Sequence, residues 1–136
     1  DRWREIIPTC LLASLVAAIT DNLMEYYRLW SYQAEGFPSS IIRIFDDLGI
    51  YIVVTYLFIQ YLPKKKTNKS MLIYWIIWTA IVIIIEFIHV TTGHMKYYLW
   101  WSIWYSYFAD WILFWLFYKF YRIYIKRKTF NKKHTP

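Results

Sequence analysis

The chain has one cysteine, three glycines and four prolines in 136 residues, and nine acidic side chains against sixteen Lys and Arg. A single thiol excludes a disulfide framework. Cys10 stands alone and reads as a packing residue. Scarce Gly and Pro leave long stretches unbroken, and there is no internal repeat or low-complexity tract. No Gly-rich phosphate loop occurs, and no Ser-His-Asp or Cys-His set has spacing suited to nucleophilic catalysis, so no catalytic residue is assigned. A signal-peptide pattern is also missing, because the first apolar stretch runs on past the expected small-residue cleavage pattern. What is present is apolar: 59% of the chain is hydrophobic and 24% is aromatic. That excludes disorder, and a soluble domain of this length has too little interior to hide so many large side chains. The class that remains is an integral membrane protein.

A membrane-crossing helix needs about 20 mostly apolar residues. Four stretches qualify, at about 6–27, 44–62, 71–90 and 99–123. Helices are expected throughout, since open strands leave backbone groups unsatisfied in lipid. Buried strands of a soluble fold are the rival reading for the β-branched run 81–85, and span length argues against it. The expected fold is all-α, a four-helix integral membrane bundle. One transmembrane domain covers 1–125, and a basic tail that should fray covers 126–136. The connection around Pro63 and the one around Gly93 are short polar turns. The first connection is longer, and its Leu29, Trp30, Tyr32 and Phe37 suit a headgroup layer. The chain begins at Asp1 and not at Met, so an upstream piece is expected.

Lys and Arg near span ends orient a membrane protein. Thirteen of the sixteen fall at the N-terminus, the second connection and the C-terminal end, which share one face in a four-span topology. Three, Arg28, Arg43 and Lys96, fall on the other. Both termini are therefore expected in the cytoplasm, with the basic face drawn to anionic lipid headgroups. No base-reading or stacking module accompanies the basic tail, so nucleic acid is not an expected partner.

The acids lie the opposite way. Asp21, Glu25, Glu35, Asp46, Asp47, Glu86 and Asp110 fall in or near the outer half of the spans. An ionisable group in hydrocarbon costs a few kcal/mol or more, so it should face the bundle interior and have a partner. Helical spacing supports this. Ala13, Ala17, Asp21 and Glu25 form one stripe; Asp47, Tyr51 and Thr55 a second; Thr79, Glu86 and His89 a third; Ser102, Ser106 and Asp110 a fourth. Turned inward, these build a polar cluster near the outer surface. Asp21, Glu25, Asp47, Glu86 and Asp110 are the candidate ligand- or proton-binding residues. The plainer reading is structural. Arg28 is one turn from Glu25, Arg43 is one turn from Asp46 and Asp47, and the two aspartates could cap a helix start.

Three functions fit these parts. A non-catalytic binding or assembly subunit, in a homo- or hetero-oligomer, asks least. A proton- or cation-coupled transporter or channel could use the carboxyls together with the aromatics of the fourth span. A metal-dependent enzyme could use Glu86 and His89, an acid–His pair on one helical face of the kind di-iron bundles duplicate. Here it occurs once, with Asp21, Glu25, Asp47, Asp110 and His94 as possible further ligands. No cofactor is assigned beyond that possible metal ion.

Several short motifs recur in combination: Ile19-Thr20-Asp21, Leu29-Trp30-Ser31-Tyr32, Asp47-Leu48-Gly49-Ile50-Tyr51, the Pro63-Lys64-Lys65-Lys66 turn, and Glu86 followed by Thr92-Gly93-His94. From about Arg2 to Tyr121 the chain resembles small multi-span membrane proteins of Bacillus-type, endospore-forming Firmicutes. The resemblance implies a Gram-positive cytoplasmic or spore membrane, and a further N-terminal span in many members. It implies no reaction and assigns no residue a role.

Overall fold

The structure, a computed structural model, describes residues 2–33, 36 and 38–134, with side chains as far as 127. Helix α1 (Trp3–Tyr26) leads into strand β1 (Trp30–Tyr32). Helix α2 (Ser39–Phe45), a π-helical turn (Asp46–Ile50) and helix α3 (Tyr51–Gln60) follow as one rod, with helical dihedrals at both junctions. Then come α4 (Asn68–Thr91), strand β2 (Met95–Tyr97) and α5 (Ile103–His134). The result is four helical rods with a two-stranded ribbon across one end.

Local chemistry sets the boundaries. Pro63 lies just beyond α3, where its missing N–H ends the helical ladder. Thr67 caps α4 by accepting the Ser70 N–H at 3.2 Å. At the far end of α4, Gly93 adopts φ +78°, a left-handed geometry that costs a residue with a Cβ about 1 kcal/mol or more. That turn aims the chain back along the bundle, so β2 meets β1 antiparallel with Trp30 opposite Tyr97 and Tyr32 opposite Met95. The ribbon is extended at its ends by Gln33 N–H to His94 O and Tyr98 N–H to Leu29 O.

Helix α1 packs most extensively on α3, and α4 on α5. Away from the ribbon, the core is aromatic. Phe58 lies 4.5 Å from Phe114 and 5.4 Å from Tyr74, with Ile6, Met71 and Trp78 around them. Arg2 ties this end together, donating to Tyr121 OH at 2.7 Å. Under the ribbon a smaller cluster joins Leu29, Trp30, Tyr32 and Met95. Between the two apolar clusters runs a polar layer.

The distribution of polarity is inverted relative to a water-soluble bundle. Thr9, Ser14, Asp21, Asp46, Asp47, Thr55, Thr79, Ser106 and Asp110 are buried, whereas Leu11, Leu15, Ile19 and Leu23 form an exposed stripe along α1. Among the described residues, α1 and α4 are the two helices long and apolar enough to cross a membrane. The second rod is interrupted by its π turn, and α5 is rich in Trp and Tyr, which hydropathy scales rate low.

Several expectations change. The ribbon replaces two simple connections. Leu29, Trp30 and Tyr32 are buried in it, while Glu35 and Phe37 lie outside the described residues. The second rod begins at Ser39, so Asp46 and Asp47 sit well inside it and cap nothing. Helix α5 begins at Ile103, later than the apolar run, and continues to His134 through the segment expected to fray.

Glycine substitutions test this geometry. Gly93→Ala should destabilise the protein by about 1 kcal/mol, because it forces a Cβ into left-handed backbone. Gly49→Ala, where an added Cβ meets nothing within 4 Å, should stabilise it by up to about 1 kcal/mol. Thermal melts in mild detergent would order the variants Gly49→Ala, wild type, Gly93→Ala.

Candidate functional site

The polar layer encloses a cavity of about 100 Å³ under the ribbon. Every rod contributes an ionisable wall group: Asp21 from α1, Asp46 from the π turn, Glu86 and His89 from α4, and Asp110 from α5. Tyr51 and Thr55 of α3 and Ser106 of α5 complete the polar lining, and Trp30, Tyr32, Met95 and Trp101 roof it. The helical stripes explain much of this. Ala17 and Ala13, one and two turns below Asp21, are fully buried and let α1 approach its neighbours closely.

The π turn explains the second rod. Tyr51 N–H donates to Asp46 O, five residues back, so this turn is wider than an α-turn. Asp46 and Asp47 are consecutive, yet both are buried. Asp46 lines the cavity and faces His89 Nδ1 at 3.5 Å. Asp47 lies closer to Arg43 and does not line the cavity.

Glu86 is the most fully engaged carboxylate. Its Oε1 accepts from Ser106 Oγ at 2.5 Å and from the Tyr97 hydroxyl, and Ser106 Oγ accepts from Trp101 Nε1 at 3.1 Å. One hydrogen-bonded chain thus joins α4, α5, β2 and the turn before α5. Asp21 and Asp110 are different. They are 2% and 7% exposed, and each keeps a buried Oδ2 that meets no hydrogen-bond partner among the described residues. Tyr51 lines the same cavity, within electrostatic reach of Asp21, Asp47, Glu86 and Asp110.

Not every candidate joins. Glu25 is ion-paired with Arg43 and not with its sequence neighbour Arg28, and neither Glu25 nor Arg43 lines the cavity. Glu86 and His89 share a helix face but serve different partners. His94 is exposed and bonded to Thr92 Oγ1 at 2.7 Å. Among the described residues no three His, Cys, Asp or Glu side chains are grouped to hold a metal ion.

Sequence reasoning missed the roof. Trp30-Ser31-Tyr32 and Met95-Lys96-Tyr97 each alternate apolar and polar residues, the period of a strand, although three residues is a short signal. Two tyrosines of the ribbon resist ionisation. Burial, reinforced by the neighbouring carboxyl of Asp21, pushes the Tyr32 phenol well above its ordinary value. Burial and the hydrogen bond to Glu86 do the same for Tyr97.

Fold and site together define a helical bundle with an acidic, aromatic-roofed cavity at one end. Comparison with family models, curated proteins and solved structures finds no match to this chain.

The roof predicts an alkaline limit. Above about pH 10 the unfolded chain releases phenolic protons that the folded protein retains, so stability falls as pH rises, by about 1.4 kcal/mol per pH unit for each group. Melting curves in detergent between pH 8 and 12 should show this slope, and Tyr32→Phe or Tyr97→Phe should flatten it. A slope identical in both variants and wild type would place the alkaline sensitivity elsewhere.

Proposed function

We propose that the chain is a four-span integral membrane protein with both termini in the cytoplasm, serving as a non-catalytic binding subunit for a compact cation held in the acidic cavity. The inverted polarity supports insertion, because exposed Leu and Ile beside buried Asp and Thr suit hydrocarbon outside and hydrogen bonds inside. Orientation follows from charge. Arg2, the 64–66 lysines, Lys119 and Arg122 gather at the end away from the ribbon, the side that positive charge assigns to the cytoplasm. The family resemblance points to the membrane of a Gram-positive cell.

One observation carries the ligand class: Asp21 and Asp110 present unpartnered, buried carboxyl oxygens on the wall of a single cavity. Among the described residues four carboxyls line it, and the one lining group able to carry positive charge is His89. Charge so enclosed needs protons or a cation to balance it. Aromatic faces at the roof favour an organic cation. The volume of about 100 Å³ is below the roughly 150 Å³ that accommodates benzene, so the cation is small. Purified protein should bind methylammonium or guanidinium saturably in equilibrium dialysis at neutral pH. Glu86→Gln and Asp110→Asn should each weaken binding by about tenfold, and Glu5→Gln, at the opposite end, should leave it unchanged. Absence of saturable binding, or binding indifferent to both cavity variants, would end this reading.

Proton- or cation-coupled transport is the second reading. It is favoured by the Asp46–His89 pair, which lines the same cavity with side chains 11% and 24% exposed and so connects it to the outside. In liposomes it requires methylammonium flux driven by a pH gradient and lost in Glu86→Gln and Asp110→Asn. Binding without flux would keep the protein a binding subunit.

A further inference from the structure

At the end opposite the acidic cavity, side chains of the first half of α4 and the later part of α5 line a groove of about 410 Å³. Its rim is cationic. Lys66 Nζ and Arg122 Cζ lie 5.8 and 5.6 Å from the ring centre of Tyr118, and Lys119 Nζ lies 5.5 Å from that of Trp115. Three positive groups are thus gathered over the rings of Trp115 and Tyr118, and among the described residues no carboxylate lines the groove.

Below the rim the walls turn apolar, with Met71, Leu72 and Trp75 on α4 facing Trp111 and Trp115 on α5. The indole N–H groups of Trp75 and Trp111 are buried and meet no acceptor among the described residues. From Arg122 down to Trp111 is about 16 Å along α5 at roughly 1.5 Å per residue. The groove is therefore rich in donors, without charged acceptors among the described residues, and polarised along the bundle axis from cationic to apolar.

An anionic phospholipid has the complementary polarity over a similar length. We infer that this groove is a discrete binding site for an anionic glycerophospholipid, its phosphate held among Lys66, Lys119 and Arg122 and its acyl chains lying against Met71, Leu72 and Trp111. Diffuse attraction of a basic surface to anionic lipid needs no groove, and the neighbouring Lys64, Lys65 and Lys69 would serve it equally. What distinguishes the site is the stacking of three cations at the mouth of an aromatic cleft.

The full chain, released from detergent micelles in native mass spectrometry, provides the test. With phosphatidylglycerol and phosphatidylcholine of identical acyl chains in competition, one phosphatidylglycerol per chain should be retained at least tenfold over phosphatidylcholine. The double variant Lys119→Gln/Arg122→Gln should lose that preference. Lys64→Gln/Lys65→Gln, which removes as much charge beside the groove, should keep it. Circular dichroism and gel filtration identify any variant that misfolds, and Lys119→Gln alone, with about a threefold loss, then substitutes for the double change. Equal retention of the two lipids overturns the inference, as does equal loss in the two double variants. Displacement of the lipid by inorganic phosphate at equal concentration also overturns it, by showing that the headgroup anion alone suffices. None of these outcomes depends on whether the acidic cavity binds a cation.

Discussion

A carboxyl group enclosed among apolar side chains must be hydrogen-bonded, protonated or paired, because an uncompensated buried charge costs several kcal/mol. Glu86 meets this demand by accepting from Tyr97 and Ser106, and the rest of the upper bundle is arranged around that junction. Tyr97 can reach Glu86 because β2 returns across the bundle end, and β2 returns because Gly93 turns the chain there. Ser106 reaches it from the first turns of α5, and in turn accepts the indole N–H of Trp101. Ribbon, α4 and α5 therefore share one polar anchor, which holds the cavity roof in place over Asp21 and Asp110.

The two ends of the bundle differ in how they hold charge. Under the ribbon, negative groups face inward and are shielded by aromatic rings, with Glu25 and Arg43 pairing outside the cavity. At the other end, positive groups lie over ring faces at the surface, where long side chains keep their heads in water and their stems on apolar walls. Between the ends, Phe58, Phe114 and Tyr74 form a stacked aromatic core that separates the two chemistries. A bundle so divided has a small, negatively lined chamber and a larger, positively rimmed groove with little polar contact between them.

The π turn is the local irregularity on which the cavity depends. Two adjacent aspartates on an ordinary helix diverge by about 100°. Widening the turn lets Asp46 reach His89 while Asp47 stays buried beside Arg43. The same turn brings Tyr51 among the carboxyls.

Much of the helical architecture was legible in sequence, because the signals for it are local. Apolar runs and the 3.6-residue period located all four rods, with α1 and α4 bounded to within three residues but the second rod starting five residues earlier and α5 ending eleven residues later than expected, and the same period predicted inward faces for Asp21, Thr55, Thr79, Ser106 and Asp110. The relations between rods were not legible. Glu25 chose Arg43 over its sequence neighbour Arg28, Glu86 and His89 took separate partners despite sharing a face, and residues 30–32 became a strand when residues 95–97 arrived beside them. Each of these choices is a contact between segments far apart in the chain, and its free energy exists only once packing has brought both partners together. Sequence alone determined which faces had to be hidden; the tertiary structure decided which buried atoms are satisfied by a neighbour and which, like Oδ2 of Asp21 and of Asp110, meet no partner among the described residues and are left at a cavity.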